Sequence, residues 1–377
     1  MNITKPVALT LLTILVISAS ITSIFVYNQI HQDSKEKFFF GVTYGQNTVE
    51  EAKNLIDKVK NYTNLFIINS YPITTNNTTP HVLNEICDYA TKADLHFIVY
   101  FFSFLAGPWQ QDWLDTAEQK WGEKFLGVYL RDEPGGRQIE LAETVENASS
   151  YSDAAEKFVQ RMATTFSIKF LNDKGVPVFT SDFALYHYDY LAGYNTVFAE
   201  LGWNNSRTRE IALCRGAANM QKKDWGTIIT WTYNHPPYIA NSTDIYQDMV
   251  TSYNAGAKYV IVFNYPQHPK NNQYGILTEE RFSAMEQFWH YVNSFPRELE
   301  KGKVAYILPK DYGWGMRHPD DKIWGIWDAD EKSPIIWENL NKLETKYGLE
   351  LDIIYDDPQY YPKGKYPQVY LWNATIN

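Results

Sequence analysis

The residues with the most chemical promise close an apolar run. Phe125 to Leu130 leads straight into Arg131-Asp132-Glu133-Pro134-Gly135-Gly136. Side chains of a strand alternate between two faces. Leu126, Val128 and Leu130 form an apolar set that should face a helix layer. Gly127, Tyr129, Arg131 and Glu133 then face an interior, with Glu133 outermost and Arg131 just below it. Asp132 would point toward a neighbouring loop or helix N-terminus. Pro134 ends the strand, and the glycine pair lets the chain turn sharply. A carboxyl at such a turn suits proton transfer. Its structural alternative is an ion pair with Arg131 or Arg137.

Cleaving an acetal takes two such groups. One protonates the leaving oxygen; the other attacks the carbon or activates water. The run 196–200 ends on Glu200, the first candidate for the nucleophile or its partner. Thr180-Ser181-Asp182 offers Asp182 as the second candidate, otherwise a residue that shapes the site. For Glu200 the structural alternative is an ion pair with Arg207 or Arg209. Trp231-Thr232-Tyr233-Asn234-His235-Pro236-Pro237 and Phe263-Asn264-Tyr265-Pro266 close two further runs without any acid. Aromatic residues gather at the same run ends: Tyr44, Tyr71, Phe102, Tyr186, Trp203, Trp231, Tyr233 and Tyr265. Indole and phenol rings stack on the apolar C–H faces of sugars, and their polar tips donate hydrogen bonds. Tyr44, Trp203, Trp231, Tyr233 and Asn264, with Arg131 and Asp182, are therefore the expected substrate-binding set. Trp109, Trp113 and Trp121 could extend the groove or pack in a helix shell. His187 and His235 stand at run ends and could bind hydroxyls. No metal site is expected, because the eight His are scattered and none stands at ligand spacing with Cys or in H-E-x-x-H. No phosphate loop, nucleophile elbow or other cofactor motif is present.

These run ends need elements that bring them together. Apolar runs at 38–44, 65–70, 96–102, 125–130, 176–181, 196–200, 227–232 and 258–264 alternate with helical periods. Thr48 with Glu51 forms a capping box, and Gly175 and Gly256 follow helical stretches just ahead of a strand. Strands joined by helices pair in parallel. Eight such units in roughly 260 residues match a (β/α)8 TIM barrel. An open doubly wound sheet would carry G-x-G-x-x-G after its first strand, and Gly41-Val42-Thr43-Tyr44-Gly45 does not. In such barrels the site lies at the C-terminal ends of the strands. The chain divides into an N-terminal segment and linker (1–34), the barrel (35–299) and a small C-terminal α/β unit (300–377) built strand, loop, helix, strand, strand. That unit should dock on the barrel. Cys87 and Cys214 fall on the second and sixth barrel helices, so both should be free, buried thiols.

Composition narrows the partners. With 34 Lys+Arg against 44 Asp+Glu, the 377-residue chain carries a net charge of −10. That argues against nucleic acid, which needs a basic face. Trp 12, Tyr 28 and Phe 20 amount to 16% aromatic residues, more than packing alone calls for. Residues 7–27 form a stretch without charge, preceded by Lys5, long enough to cross a bilayer. Ser18-Ala19-Ser20 could also be a signal-peptide cleavage site. Either way the remainder is exported: a membrane-anchored cell-surface protein, or a secreted one. Asn-x-Ser/Thr occurs at Asn61, Asn76, Asn77, Asn147, Asn204, Asn241 and Asn373, potential glycosylation sites on surface loops.

Eight β/α units, an acid closing strand four in Tyr129-Leu130-Arg131-Asp132-Glu133-Pro134 and an aromatic mouth resemble the barrel glycoside hydrolases over about 38–296. The C-terminal unit loosely resembles the α/β domain behind the barrel of family 42 β-galactosidases. In that clan the acid/base closes strand four, a place Glu133 matches without the usual preceding Asn, and the nucleophile closes strand seven, where this chain has none. The α-galactosidase clan places acids after strands four and six, as Glu133 and Glu200 stand, but as aspartates. The resemblance implies an exported glycoside hydrolase with Glu133 as acid/base, a carbohydrate substrate and no cofactor. The absent strand-seven acid favours a rival, a carbohydrate-binding or cell-surface protein on a barrel without activity. A deacetylase would be a third reading, but its metal ligands are missing.

Overall fold

Eight parallel strands close into a barrel in sequence order, in a computed structural model. It describes residues 37–75, 80–102, 108–165, 167–229, 240–266, 272–295, 297, 302–360 and 364–376. The apolar stretch 7–27 lies outside them, as do Asn76, Asn77, Trp231, Tyr233 and His235. Among the described residues no helix is long and apolar enough to cross a membrane.

The first half runs β1 (Phe39–Tyr44), α1 (Val49–Val59), β2 (Leu65–Ile68), a helical turn (Tyr71–Thr74), α2 (Pro80–Lys92), β3 (His96–Tyr100), α3 (Pro108–Trp121) and β4 (Phe125–Tyr129). Next come α4 (Pro134–Leu141), α5 (Tyr151–Thr165), α6 (Ile168–Asp173), β5 (Val178–Asp182), α7 (Tyr186–Ala192) and β6 (Thr196–Leu201). The barrel ends with α8 (Arg207–Gln221), β7 (Asp224–Ile229), α9 (Ser242–Asn254), β8 (Tyr259–Val262) and α10 (Glu279–Ser294). The capping box at Thr48 and Glu51 is formed as expected. Strand β7 starts three residues before the apolar run that announced it, because Asp224 already pairs with Thr196 of β6.

The barrel interior explains much of the aromatic excess. Phe39 stacks on Tyr259 at 4.9 Å, and Phe179 on Phe198 at 5.8 Å. Leu65, Ile67, Ile98, Tyr100, Tyr129 and Ile228 join the same cluster. Rings thus fill space that branched aliphatic side chains commonly fill in such barrels. Trp113 and Trp121 are buried in the helix shell, their indole N–H groups donating to Asn84 and Asp88. They are packing residues.

One irregularity sets the phase of β4. Phe97 pairs with Phe125, but Ile98 pairs with Gly127, so Leu126 is an extra residue. Leu126 packs against the inner cluster instead of the helix layer expected for it. Gly127 has φ +137, and a Cβ there would lie 2.2 Å from the Pro177 carbonyl oxygen. Both facts restrict this bulge to glycine. Beyond it Tyr129 points inward, as alternation predicts.

The C-terminal segment folds as β9 (Val304–Leu308), α11 (Ser333–Tyr347), β10 (Leu351–Tyr355) and β11 (Gln368–Leu371). Its sheet is wholly parallel, in the order β10-β9-β11. It packs against α8. The Arg215 guanidinium reaches the Asp352 carboxylate at 2.7 Å, and Arg209 pairs with Glu344 and lies over the Trp337 ring at 4.5 Å. Gly216 lets the backbones approach, since a Cβ there would meet the Ile353 oxygen at 2.4 Å. Residues Phe39–Asn377 form one compact unit. Cys87 and Cys214 are both buried and free.

Candidate active site

Parity along each strand decides what reaches the mouth. Inward residues of β1, β3, β5, β6 and β8 place Thr43, Tyr100, Ser181, Glu200 and Phe263 at or just past the strand ends. Together with Tyr129, Asp132 and Glu133 they line one cavity. Ile67, Ile228 and Asn69 complete the wall. No Lys, Arg or His lines it among the described residues.

Past Tyr129 the chain leaves strand geometry. Arg131 has φ +58 and Glu133 has φ +49. Phe102, Leu185, Trp203 and Asn204 are also left-handed, each just past the end of β3, β5 or β6. Backbone strain is thus concentrated on this edge of the barrel. The turn at Arg131 reverses the two orientations that alternation gave. Arg131 lies outside the cavity lining, paired with Glu143 at 3.0 Å, and Arg137 reaches the same carboxylate at 2.5 Å. Asp132 comes to the cavity wall instead of a helix N-terminus. Its Oδ1 accepts from the Tyr129 hydroxyl and stands 3.0 Å from the Ser181 hydroxyl.

Glu133 and Glu200 meet in this cavity. Glu200, 3% exposed, accepts from the Ser181 hydroxyl at 2.6 Å. The Glu133 carboxyl lies near it in the same cavity. Burial, then the nearby Asp132 and Asp182 charges, pushes Glu133 up to about 7. Burial, then the charges of Glu133 and Asp132, raises Glu200 well above the ordinary carboxyl range. Both carboxyls are thus pushed toward the protonated form. The structural alternatives have other owners. Glu143 takes both Arg131 and Arg137, Arg207 pairs with Asp248, and Arg209 with Glu344.

Asp182 does not line the cavity. The parity that turns Phe179 and Ser181 inward turns Asp182 outward, and it is fully buried. Its carboxylate accepts backbone N–H groups from Gly135 (2.5 Å) and Gly136 (2.8 Å) in the first turn of α4, and from Phe183 and Ala184. Burial raises Asp182 to about 6 while these donors pull it back, and burial, then the Asp182 charge, raises Asp189 well above the ordinary carboxyl range. Asp182 thus anchors the turn that carries Glu133.

The other expected ligand residues divide. Tyr44 faces outward, buried, its hydroxyl donating to the Thr48 carbonyl and its ring stacked on Phe66. Asn264 faces outward too: its Oδ1 accepts the Ile276 N–H at 3.2 Å, and its backbone bonds Thr43. Trp203 is half-buried past β6 and outside the cavity lining. His187 is buried between Gln221 and Asp357 under the C-terminal unit. Sequence reasoning turned Tyr129 inward without naming it a site residue, and missed Asp132, Ser181 and Tyr100 as cavity lining. The parity of β5 alone could have found Ser181.

No family model matches the chain, and no curated protein matches it by sequence. Solved structures do. The β-galactosidase of the haloarchaeon Halorubrum lacusprofundi superposes with TM-score 0.59 at 9% identity, over 89% of this chain and 69% of that one. The β-galactosidase of the psychrophilic Marinomonas ef1 superposes with TM-score 0.53 at 11% identity, over 89% and 72%. At such identities the likeness is one of architecture. It extends beyond the barrel into the C-terminal sheet, and it gives this chain a (β/α)8 glycoside hydrolase-like fold.

Proposed function

We propose that the protein is an exported glycoside hydrolase, with Glu133 as acid/base and Glu200 as its carboxyl partner. One observation carries the reading. On a glycosidase-like barrel, at its site-bearing edge, Glu133 from the loop after β4 and Glu200 from β6 line one cavity, with no cation among its described lining residues. A carboxyl that titrates near neutrality is suited to donate a proton to a leaving oxygen. The separation of the two carboxyls decides the outcome, about 5–5.5 Å for retention and about 6.5–9.5 Å for inversion. Export rests on the apolar stretch 7–27 and on the sequons. Asn61, Asn147, Asn204, Asn241 and Asn373 are all exposed, as glycan attachment requires.

The test is turnover by the full-length chain on aryl glycosides and polysaccharides, beside Glu133→Gln and Glu200→Gln. Hydrolysis that falls by orders of magnitude in Glu133→Gln, with the fold intact, supports the reading. Sugar binding without turnover in any form supports the rival, a carbohydrate-binding barrel, which the missing strand-seven acid favours. A loss of electrophoretic mass on enzymatic deglycosylation of the native protein would support export.

A further inference from the structure

We propose that the substrate is a 2-acetamido sugar whose own amide oxygen is the nucleophile, with Asp132 holding that amide and Glu133 acting as acid and base. This rests on the glycosidase reading above and goes further, to a substrate class and an unassigned catalytic residue.

Three observations lead there. A double displacement by protein groups needs an accessible, ionised carboxylate opposite the acid. The end of strand seven has no acid in its sequence, and neither does that of strand eight. Glu200 is a poor substitute: it is 3% exposed, accepts the Ser181 hydroxyl at 2.6 Å, and burial raises it well above the ordinary carboxyl range. The other carboxyl on the wall is Asp132, a residue exposed at the rim, whose carboxyl is raised by burial and pulled back by the Tyr129 and Ser181 hydroxyls. It is the chain neighbour of Glu133, so both reach the sugar from one side. A nucleophile and its acid should instead flank the scissile bond. Asp132 is placed to hold a group beside the anomeric carbon.

Its surroundings fit an acetamido group. Both hydroxyl contacts fall on Oδ1, and no described residue bonds Oδ2. The free oxygen can accept an amide N–H. The wall beside it is apolar and aromatic, with Tyr100, Tyr129, Ile67, Ile228 and Phe263, room suited to a methyl group. The Tyr129 hydroxyl keeps Asp132 oriented, and the crowded protein around that carboxyl strengthens any bond it makes to developing positive charge.

The steps balance. Glu133 gives its proton to the glycosidic oxygen, and the C1–O bond breaks with its electron pair on the leaving alcohol. The amide carbonyl oxygen bonds C1, closing a five-membered oxazolinium ring whose N–H⁺ faces the Asp132 carboxylate. Water then attacks C1, Glu133 takes the water proton, and the C1–O(amide) bond breaks to restore the acetamide. Two inversions give net retention. A nucleophile carried by the substrate is already in place, an advantage worth up to about 10⁵–10⁸ M in effective concentration.

The experiment compares aryl N-acetylglucosaminides and N-acetylgalactosaminides with the 2-hydroxy and 2-amino analogues, on the full-length chain. The acetamido sugars should be cleaved at least about 10²-fold faster, and N-trifluoroacetyl analogues should slow the reaction more than about tenfold, since their amide oxygen is a weaker nucleophile. N-acetylglucosamine-thiazoline, which mimics the ring, should inhibit competitively. Asp132→Asn keeps an acceptor for Tyr129, so its melting curve should be unchanged while kcat falls about 10²–10³-fold with little change in KM. Equal rates on 2-hydroxy sugars, with a 2-fluoro glycoside labelling Glu200, would overturn this inference and leave the glycosidase reading intact. Absence of turnover on every sugar would sink both.

Discussion

Two equally buried carboxylates are treated in opposite ways. Asp352, on β10, is fully buried at the junction with the barrel. It receives the Arg215 guanidinium at 2.7 Å, the Tyr366 hydroxyl at 2.7 Å and the Asn219 amide at 3.1 Å. Arg215 spends its other donors on the carbonyls of Ala255, Leu349 and Leu351. Glu200, at the mouth, has no cation partner among the described residues; its neighbours are Glu133, Asp132 and a serine hydroxyl. A junction that must only hold together neutralises its charge. A carboxyl placed among other carboxyls keeps a proton instead, at a cost in stability, and perturbed acids of that kind mark sites of chemistry.

The contrast can be broken in several ways. Glu133→Gln should reduce turnover by about 10³-fold or more without lowering the melting temperature; a stability loss of similar weight would make Glu133 a structural residue. Arg215→Met leaves Asp352 buried and unpaired, and should cost about 3–5 kcal/mol in urea unfolding. Pairing it with Asp352→Leu should return most of that. A single-variant cost below about 1 kcal/mol would mean that the junction is not held by its ion pair. Glu200→Gln should do the reverse. A carboxyl with a raised pKa binds its proton more tightly in the folded state than in the unfolded one. Its contribution to stability therefore falls as pH rises above the unfolded value. The glutamine variant should gain stability relative to wild type at pH 8, and less at pH 5. The smallest effect is on the rate profile. Glu133 is pushed up to about 7, so kcat/KM should fall about tenfold per pH unit above that point as the acid form is lost. An alkaline limb that starts two units higher would assign the proton to another group.

Much of this was legible in the sequence, and what was not has a local cause. Alternating apolar runs and helical periods gave the closed barrel, and Gln368–Leu371 was recognisable as a strand although it is largely exposed. Glu133 and Glu200 could be named because strand ends converge in any such barrel. The errors lie where regular geometry stops. Extending the alternation of β4 to Arg131 and Asp132 fails, because a left-handed residue intervenes and nothing in an arginine announces positive φ. Tyr44, Asp182 and Asn264 were chosen for type and place when parity already turned them outward. Their polar groups serve the scaffold: a helix start, a turn anchor and a loop tie. The aromatic count was read as a surface for sugars, while many of those rings fill the barrel's own centre.

The extra residue at Leu126 gives the molecule a history as well as a shape. Losing one codon there would put Tyr129 on the outer face and take its hydroxyl away from Ser181 and Asp132, with every acid still encoded. The pocket can thus be dismantled through a change of length that leaves every carboxyl of its wall in the sequence.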